Sequence, residues 1–321
     1  MDGLIRAAKT GERMALERAF ETGQATPVTA DEQGNTLLHL AVEAQKNELA
    51  CIQLLLAHGC SATARNSKGA APLHYVALRK DNWTTVAQLL LDHGADVNQP
   101  MTTGHTPLHV ACEKHKPEFV EWLLAHSANP NALDQQGNAP LHVCIATPGR
   151  DHVVKSIVQM LLDCQAQINA KNNEGNDALL LSAMKGYLKL GHFLIEKHAD
   201  IRTRNTQGNT VLHEAAKHGH AELMEILLTV PILNINASNV DEETPLHMAT
   251  RYNHSDVALL LLRKKAATNV YNKDGQTAFD LVDVESRNIF DSKSPEFERI
   301  ISIAKLQNKE MEEADAGCAL M

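Results

Sequence analysis

The sequence predicts an all-α solenoid of about eight helix–turn–helix repeats behind an N-terminal capping helix pair, and three observations carry the prediction. The first is a recurring tetrapeptide. Thr106-Pro107-Leu108-His109 has counterparts at Thr36-Leu37-Leu38-His39, Ala71-Pro72-Leu73-His74, Ala139-Pro140-Leu141-His142, Asp177-Ala178-Leu179-Leu180, Thr210-Val211-Leu212-His213, Thr244-Pro245-Leu246-His247 and Thr277-Ala278-Phe279-Asp280. The second is its spacing: successive copies lie 35, 35, 33, 38, 33, 34 and 33 residues apart, and a fixed period of this size marks a stacked array. The third is a glycine two positions before the tetrapeptide, at Gly34, Gly69, Gly104, Gly137, Gly175, Gly208 and Gly275.

The tetrapeptide makes local physical sense as a helix start. Thr caps through its hydroxyl, Pro suits the first helical position, where a missing N–H costs nothing, Leu faces the core, and His can hydrogen-bond back across the turn. The glycine supplies a positive φ. Glu242 stands where that glycine belongs in the seventh copy, so an altered turn is expected there.

Together these features resemble the ankyrin repeat, and the resemblance covers roughly residues 30 to 280. The repeat ends agree with it: His93-Gly94-Ala95-Asp96-Val97-Asn98, His58-Gly59-Cys60, His198-Ala199-Asp200 and Leu233-Asn234-Ile235-Asn236. The resemblance implies helix pairs joined by protruding hairpin turns, stacked because no single unit can bury its apolar face alone.

Residues 1–30 align with the helix pair of a repeat but lack a preceding hairpin, as a cap would. The array is expected over 31–285. Repeat two carries extra residues, Arg79-Lys80-Asp81-Asn82-Trp83, between its helices; Trp83 either packs under that loop or anchors a contact, whereas Trp122 reads as core. Repeat four carries the longest insertion, Thr147-Pro148-Gly149-Arg150-Asp151, and insertions in solenoids gather on one face. In repeat five Asp177 and Leu180 replace Thr and His, which should weaken the turn. Residues 286–308 offer an apolar stripe (Phe297, Ile300, Ile301, Ile303) for a C-terminal capping helix, and 309–321 form a charged tail.

The chemistry-bearing residues point away from catalysis. The six cysteines are scattered without a CxxC pair, as buried thiols in a reducing compartment are. Of seventeen histidines, six are tetrapeptide residues, and His58, His93, His126 and His198 sit at helix ends, where a cation meets the carbonyl end of the dipole. No metal spacing, phosphate loop or nucleophile elbow appears. No enzyme activity, metal or cofactor is expected. The net charge of −9 argues against a nucleic-acid partner. With no signal peptide and no apolar run long enough to span a bilayer, the expectation is a cytoplasmic protein.

The resemblance implies that a protein partner meets the hairpin tips and the exposed ends of the first helices. Carried over by repeat position, the contact residues are Arg79, Trp83, Lys114, Met184, Lys185, Lys217, His218, Arg251 and Tyr252. The row leans basic, so an acidic partner segment would be steered to it. Asn98, Asn131, Asn169 and Asn236 occupy a position that the resemblance makes a candidate for asparaginyl hydroxylation; the alternative is a hydrogen bond to the hairpin backbone.

The final residues, Cys318-Ala319-Leu320-Met321, form a C-a-a-X box whose terminal Met specifies a farnesyl group, added by a prenyltransferase at Cys318. One such chain anchors weakly, so a second signal would be required for peripheral membrane association. The reading is a non-catalytic adaptor recruited to a cytosolic membrane face. An unlipidated soluble scaffold or inhibitor, and a bacterial effector working in a host cytosol, stand as alternatives.

Overall fold

The computed structural model describes residues 2–44 and 49–281. The expected C-terminal cap (286–308) and the tail with Cys318 lie outside the described residues. The chain divides into two compact units, 1–167 and 168–321. The first holds α1 (Asp2–Thr10), α2 (Arg13–Glu21), α3 (Leu37–Glu43), α4 (Leu49–Ala57), α5 (Pro72–Tyr75) continued by a 3-10 turn (Val76–Leu78), α6 (Trp83–Asp92), α7 (Pro107–Glu113), α8 (Pro117–Ala125), α9 (Pro140–Ala146) and α10 (Asp151–Asp163). The second holds α11 (Ala178–Lys185), α12 (Leu188–Glu196), α13 (Val211–Lys217), α14 (Ala221–Leu227), α15 (Pro245–Arg251) and α16 (Ser255–Arg263). No strand occurs among the described residues; one isolated bridge joins Ala30 to Thr36.

Within each unit the first helices of successive repeats pack in one layer and the second helices in another. In the first unit α1, α3, α5, α7 and α9 form the inner row; in the second, α11, α13 and α15 do. The tetrapeptide leucines fill the space between layers: Leu38, Leu73, Leu108, Leu212 and Leu246 are at most 1% exposed. Truncating one of them to Ala would cost about 2–5 kcal/mol.

The tetrapeptide histidine does more than close its own turn. The N-cap backbone N–H donates to Nδ1 in six copies, at 3.1–3.2 Å. The Thr hydroxyl reaches the same nitrogen at 2.8–2.9 Å in four of them. On the other side of the ring, Nε2 lies 2.9–3.3 Å from a backbone carbonyl of the next hairpin: Ala70, His105, Asn138, Glu243 and Gln276 for His39, His74, His109, His213 and His247. A carbonyl only accepts, so Nε2 carries the proton and Nδ1 is left to accept. Each ring is thereby held neutral and ties one repeat to its successor. Burial pushes the pKa of His74, His109 and His213 down to about 4, and that of His39 and His247 in the same direction.

The hairpin tips are built by a residue three positions before the turn glycine. The side-chain oxygen of Asp31, Asn66, Asp134, Asn172, Asn205, Asn239 or Asn272 accepts two backbone N–H groups across its own turn, the local bonding for which Asn and Asp are favoured in turns. Neighbouring tips are bonded through Ser67 N–H to Gln33 O, Thr102 to Lys68 and Gln135 to Thr103 in the first unit. In the second, Thr206 bonds Glu174, Val240 bonds Gln207 and Lys273 bonds Asp241.

Three local expectations are corrected. The turn at Glu242 keeps the glycine geometry, with φ +60° and Glu242 N–H on Asn239 O at 3.1 Å; the turn residues and Asn239 impose the shape, and Glu242 bears the strain. In repeat five, Asp177 caps α11 directly, its Oδ1 accepting from Leu180 N–H at 2.9 Å, so the helix start is kept, while Leu180 can supply neither the Nδ1 acceptor for the N-cap N–H nor the forward bond that the histidines make. Trp122 is half-buried, stacked against Phe119 and His126, because its position on α8 faces the outer edge of the second layer.

Candidate partner-binding surface

In the first unit the inner helices and hairpin tips enclose a groove of about 350 Å3 whose walls include Tyr75, Leu78, Met101, Val110, Lys68 and Lys114. Tyr75 is fixed through its hydroxyl, which receives a hydrogen bond from Asn66 Nδ2 at 2.8 Å. Lys114 is exposed, and its Nζ lies 2.8 Å from Glu113, which removes much of its field at a surface where ion pairs are screened.

Arg79 departs from its expected place. It is 4% exposed, and its Nη1 donates to the carbonyls of Ala41, Val42 and Ala44 at 3.3, 2.9 and 2.9 Å. These are the orphan acceptors at the end of α3, so Arg79 caps the preceding repeat's helix rather than facing a partner across the groove. Burial pulls its pKa down, opposed by nearby Asp81. Trp83 is half-buried, edge-on to Phe119 with ring centroids 5.5 Å apart. It lies at the start of α6, away from the residues that line the groove.

In the second unit, Lys185 is exposed at the end of α11 beside the half-buried Met184. Lys217 places its Nζ 5.8 Å from the centroid of the exposed Tyr252 ring. His218 lies 3.7 Å from Glu214 and stacks at 6.2 Å on His220; desolvation lowers its pKa against the pull of Glu214. Arg251 is bound to Glu243 through Nε at 2.8 Å and through Nη2. The five-cation row expected from the sequence is thus reduced. Arg79 is internal, Lys114 and Arg251 have carboxylate partners, and Lys185 and Lys217 make no ion pair among the described residues. A polar basin of about 430 Å3 adjoins Lys217, which lines it with Arg251, Tyr252, Lys273, Asp241, Glu243 and Asp274.

The repeat-end asparagines bond forward, not into the hairpin. Asn98 Oδ1 accepts from Asn129 N–H, Asn131 from Gln167, Asn169 from Asp200 and Asn236 from Ala267, at 2.7–2.9 Å. His93 and His126 are placed as expected, Nδ1 meeting the carbonyl four residues back at 2.8 and 2.7 Å.

A second set of structural donors went unread. His115, His220 and His254 place Nε2 at 3.0–3.1 Å from the carbonyls of Cys144, Met184 and Lys217, at or near the ends of neighbouring inner helices. Each ring lies flat on a glycine: a Cβ added to Gly149, Gly186 or Gly219 would come within 2.4–2.6 Å of it. The pairing of a Gly-His or Gly-Tyr dipeptide with a His one repeat later was visible in Gly186, Gly219, His220 and His254, but its meaning requires two repeats side by side.

The sequence matches the family model for ankyrin repeats in three copies over residues 4–101, 73–172 and 152–239, and that for ankyrin repeats in many copies over 232–282. The chain therefore belongs to the ankyrin-repeat family, whose repeats are protein-interaction scaffolds. No curated protein matches it significantly. No described helix is long and apolar enough to cross a membrane.

Proposed function

We propose that this chain is a non-catalytic scaffold that holds an acidic segment of a protein partner on the second unit. Met184, Lys185, Lys217, His218 and Tyr252 form the contact, with Arg251 at its border. The observation that carries this reading is that Lys185 and Lys217 stand without carboxylate partners on successive repeats while the other cations of the row are internal or paired. Lys185 is exposed and Lys217 half-buried, and unpaired surface charges of this kind steer encounter and set specificity. The test is Lys185→Glu with Lys217→Glu. A partner recovered on the wild-type chain should bind the variant at least about ten-fold more weakly and lose most of its salt dependence; unchanged affinity refutes the assignment.

A second reading adds membrane recruitment. Where Met321 is the last residue of the protein made in the cell, Cys318 stands in a farnesylation box, and the scaffold would carry its partner to a cytosolic membrane face. In a bacterial protein delivered to a host, the host's prenyltransferase would supply the group. Intact mass of the protein from a eukaryotic cell, beside Cys318→Ser, decides it: a farnesyl-sized gain with loss of three residues supports lipidation, and an unmodified mass removes it.

A further inference from the structure

The insertion in repeat two opens a cavity of about 350 Å3 between α6 and α8, lined by Val76, Ala77, Arg79, Lys80, Trp83, Lys116, Glu118 and Phe119. It is distinct from the groove along the hairpins, sharing none of its lining residues. Three of its eight lining residues are cations in a chain of net charge −9. Neither Lys80 nor Lys116 makes an ion pair among the described residues, and neither does Arg79.

Arg79 is the informative member. Nine-tenths and more of it is buried. Its Nη1 is taken by the α3 carbonyls and its Nε by Asp81 O, so Nη2 has no protein acceptor among the described residues. A buried guanidinium satisfied on one side by carbonyl dipoles, with only the exposed Asp81 near it and no ion pair among the described residues, is still short of a counter-charge. The cavity also receives the start of the ten-residue α6, whose N-cap Asn82 makes no side-chain cap, which leaves its positive end open to an anion; the start of α8 adds nothing of this kind, since Pro117 lacks an N–H there and Glu118 already brings a carboxylate to its first turn. The rest of the wall is the carboxylate Glu118 and an apolar side, the half-buried Trp83 indole with Phe119 at 5.5 Å from it and the buried Val76 and Ala77 behind. A bare phosphate would leave that wall unused.

We propose that this cavity binds a phosphotyrosine side chain, with the phosphate held by Arg79 Nη2, Lys80 and Lys116 and the ring against Trp83. It rests on the scaffold reading only for the source, a phosphorylated protein partner; the pocket itself is tested without one. A dianionic phosphate matches a lining of three cations against one carboxylate, Glu118, and the cavity volume exceeds what a phosphorylated hydroxymethyl group would fill.

The experiment is a titration of the whole chain with free O-phosphotyrosine at pH 7.5, read by tryptophan fluorescence. A Trp122→Phe background leaves Trp83 as the reporter, since the chain has two tryptophans. The expected result is a saturable change with a Kd of about 1 mM or tighter, no change with tyrosine, and displacement by inorganic phosphate only at concentrations about ten-fold higher. Lys80→Glu with Lys116→Glu, which alters positions that make no described ion pair, should weaken binding at least about ten-fold. Lys185→Glu with Lys217→Glu should leave it unchanged, so this pocket and the acidic-segment site fail independently. Absence of saturation up to about 20 mM, a Kd beyond any useful affinity, overturns the proposal. So does equal affinity in the Lys80/Lys116 variant. Inorganic phosphate binding as tightly as phosphotyrosine overturns the assignment of the ring.

Discussion

Acidification should unfold this protein well above the pH at which its carboxylates titrate, and the tetrapeptide histidines set the magnitude. Unfolded imidazoles titrate near 6.5. In the folded chain His74, His109 and His213 are depressed to about 4, chiefly by burial. Between those values the unfolded state binds more protons, so stability rises with pH across the window, is complete above about pH 6.5, and is lost as pH falls through 4. At pH 5 each ring withdraws about 2 kcal/mol, and the three together about 6 kcal/mol, relative to pH 7.5. His39 and His247 shift in the same direction. A domain whose total stability is about 5–15 kcal/mol feels this strongly. The geometry explains the shift as well as burial does, because a proton on Nδ1 would face the N-cap N–H that now donates to it. The assay is urea unfolding at pH 7.5 and 5.0 by circular dichroism, with NMR titration of the imidazole Cε1–H signals. Coincident midpoints, or buried-ring signals titrating near 6.5, would refute the assigned tautomer and its linkage.

Other expectations follow from single residues. Glu242→Gly relieves a side chain held at φ +60° and should stabilise the second unit by about 1 kcal/mol, measured as a higher urea midpoint. Arg79→Met leaves three α3 carbonyls without their donor and should cost about 2–4 kcal/mol; hydrogen exchange should speed first in α3, and equal exchange there would count against the trans cap. Gly219→Ala forces a Cβ to 2.4 Å from His254 Nδ1 at φ +75° and should cost at least about 1 kcal/mol, with faster exchange at the end of α13. Asp177→Ala removes the repeat-five cap and should cost about 1 kcal/mol; a neutral outcome would mean that the cap is dispensable.

The architecture was legible because its signal is repeated: one tetrapeptide, one glycine and one period, each interpretable by local backbone physics. The hairpin residues Asp31, Asn66 and their equivalents were as regular but masked by Met101, which breaks the series in repeat three. The surface was less legible because charge in a sequence has no address. Arg79 and Lys114 looked equivalent by repeat position, yet the extra residues before Trp83 turn the first inward onto the end of α3, while the second stays at the surface beside Glu113. Trp122 shows the converse limit, since helical periodicity does not distinguish the packed side of an outer helix from its rim.

The seating of His220 on Gly186 and of His254 on Gly219 imposes a grammar on how such repeats can be recombined. Repeat six carries both halves, the glycine that receives a ring and the histidine that supplies one, so a tandem copy of it could follow itself without conflict. Repeat seven supplies His254 but presents Asn253, at φ +59°, where the receiving glycine would be. A histidine-bearing repeat grafted after it would meet a side chain, and its own first residues would have to change. Shuffling units in this array is therefore an ordered operation, in which each junction is licensed by a residue on either side of it.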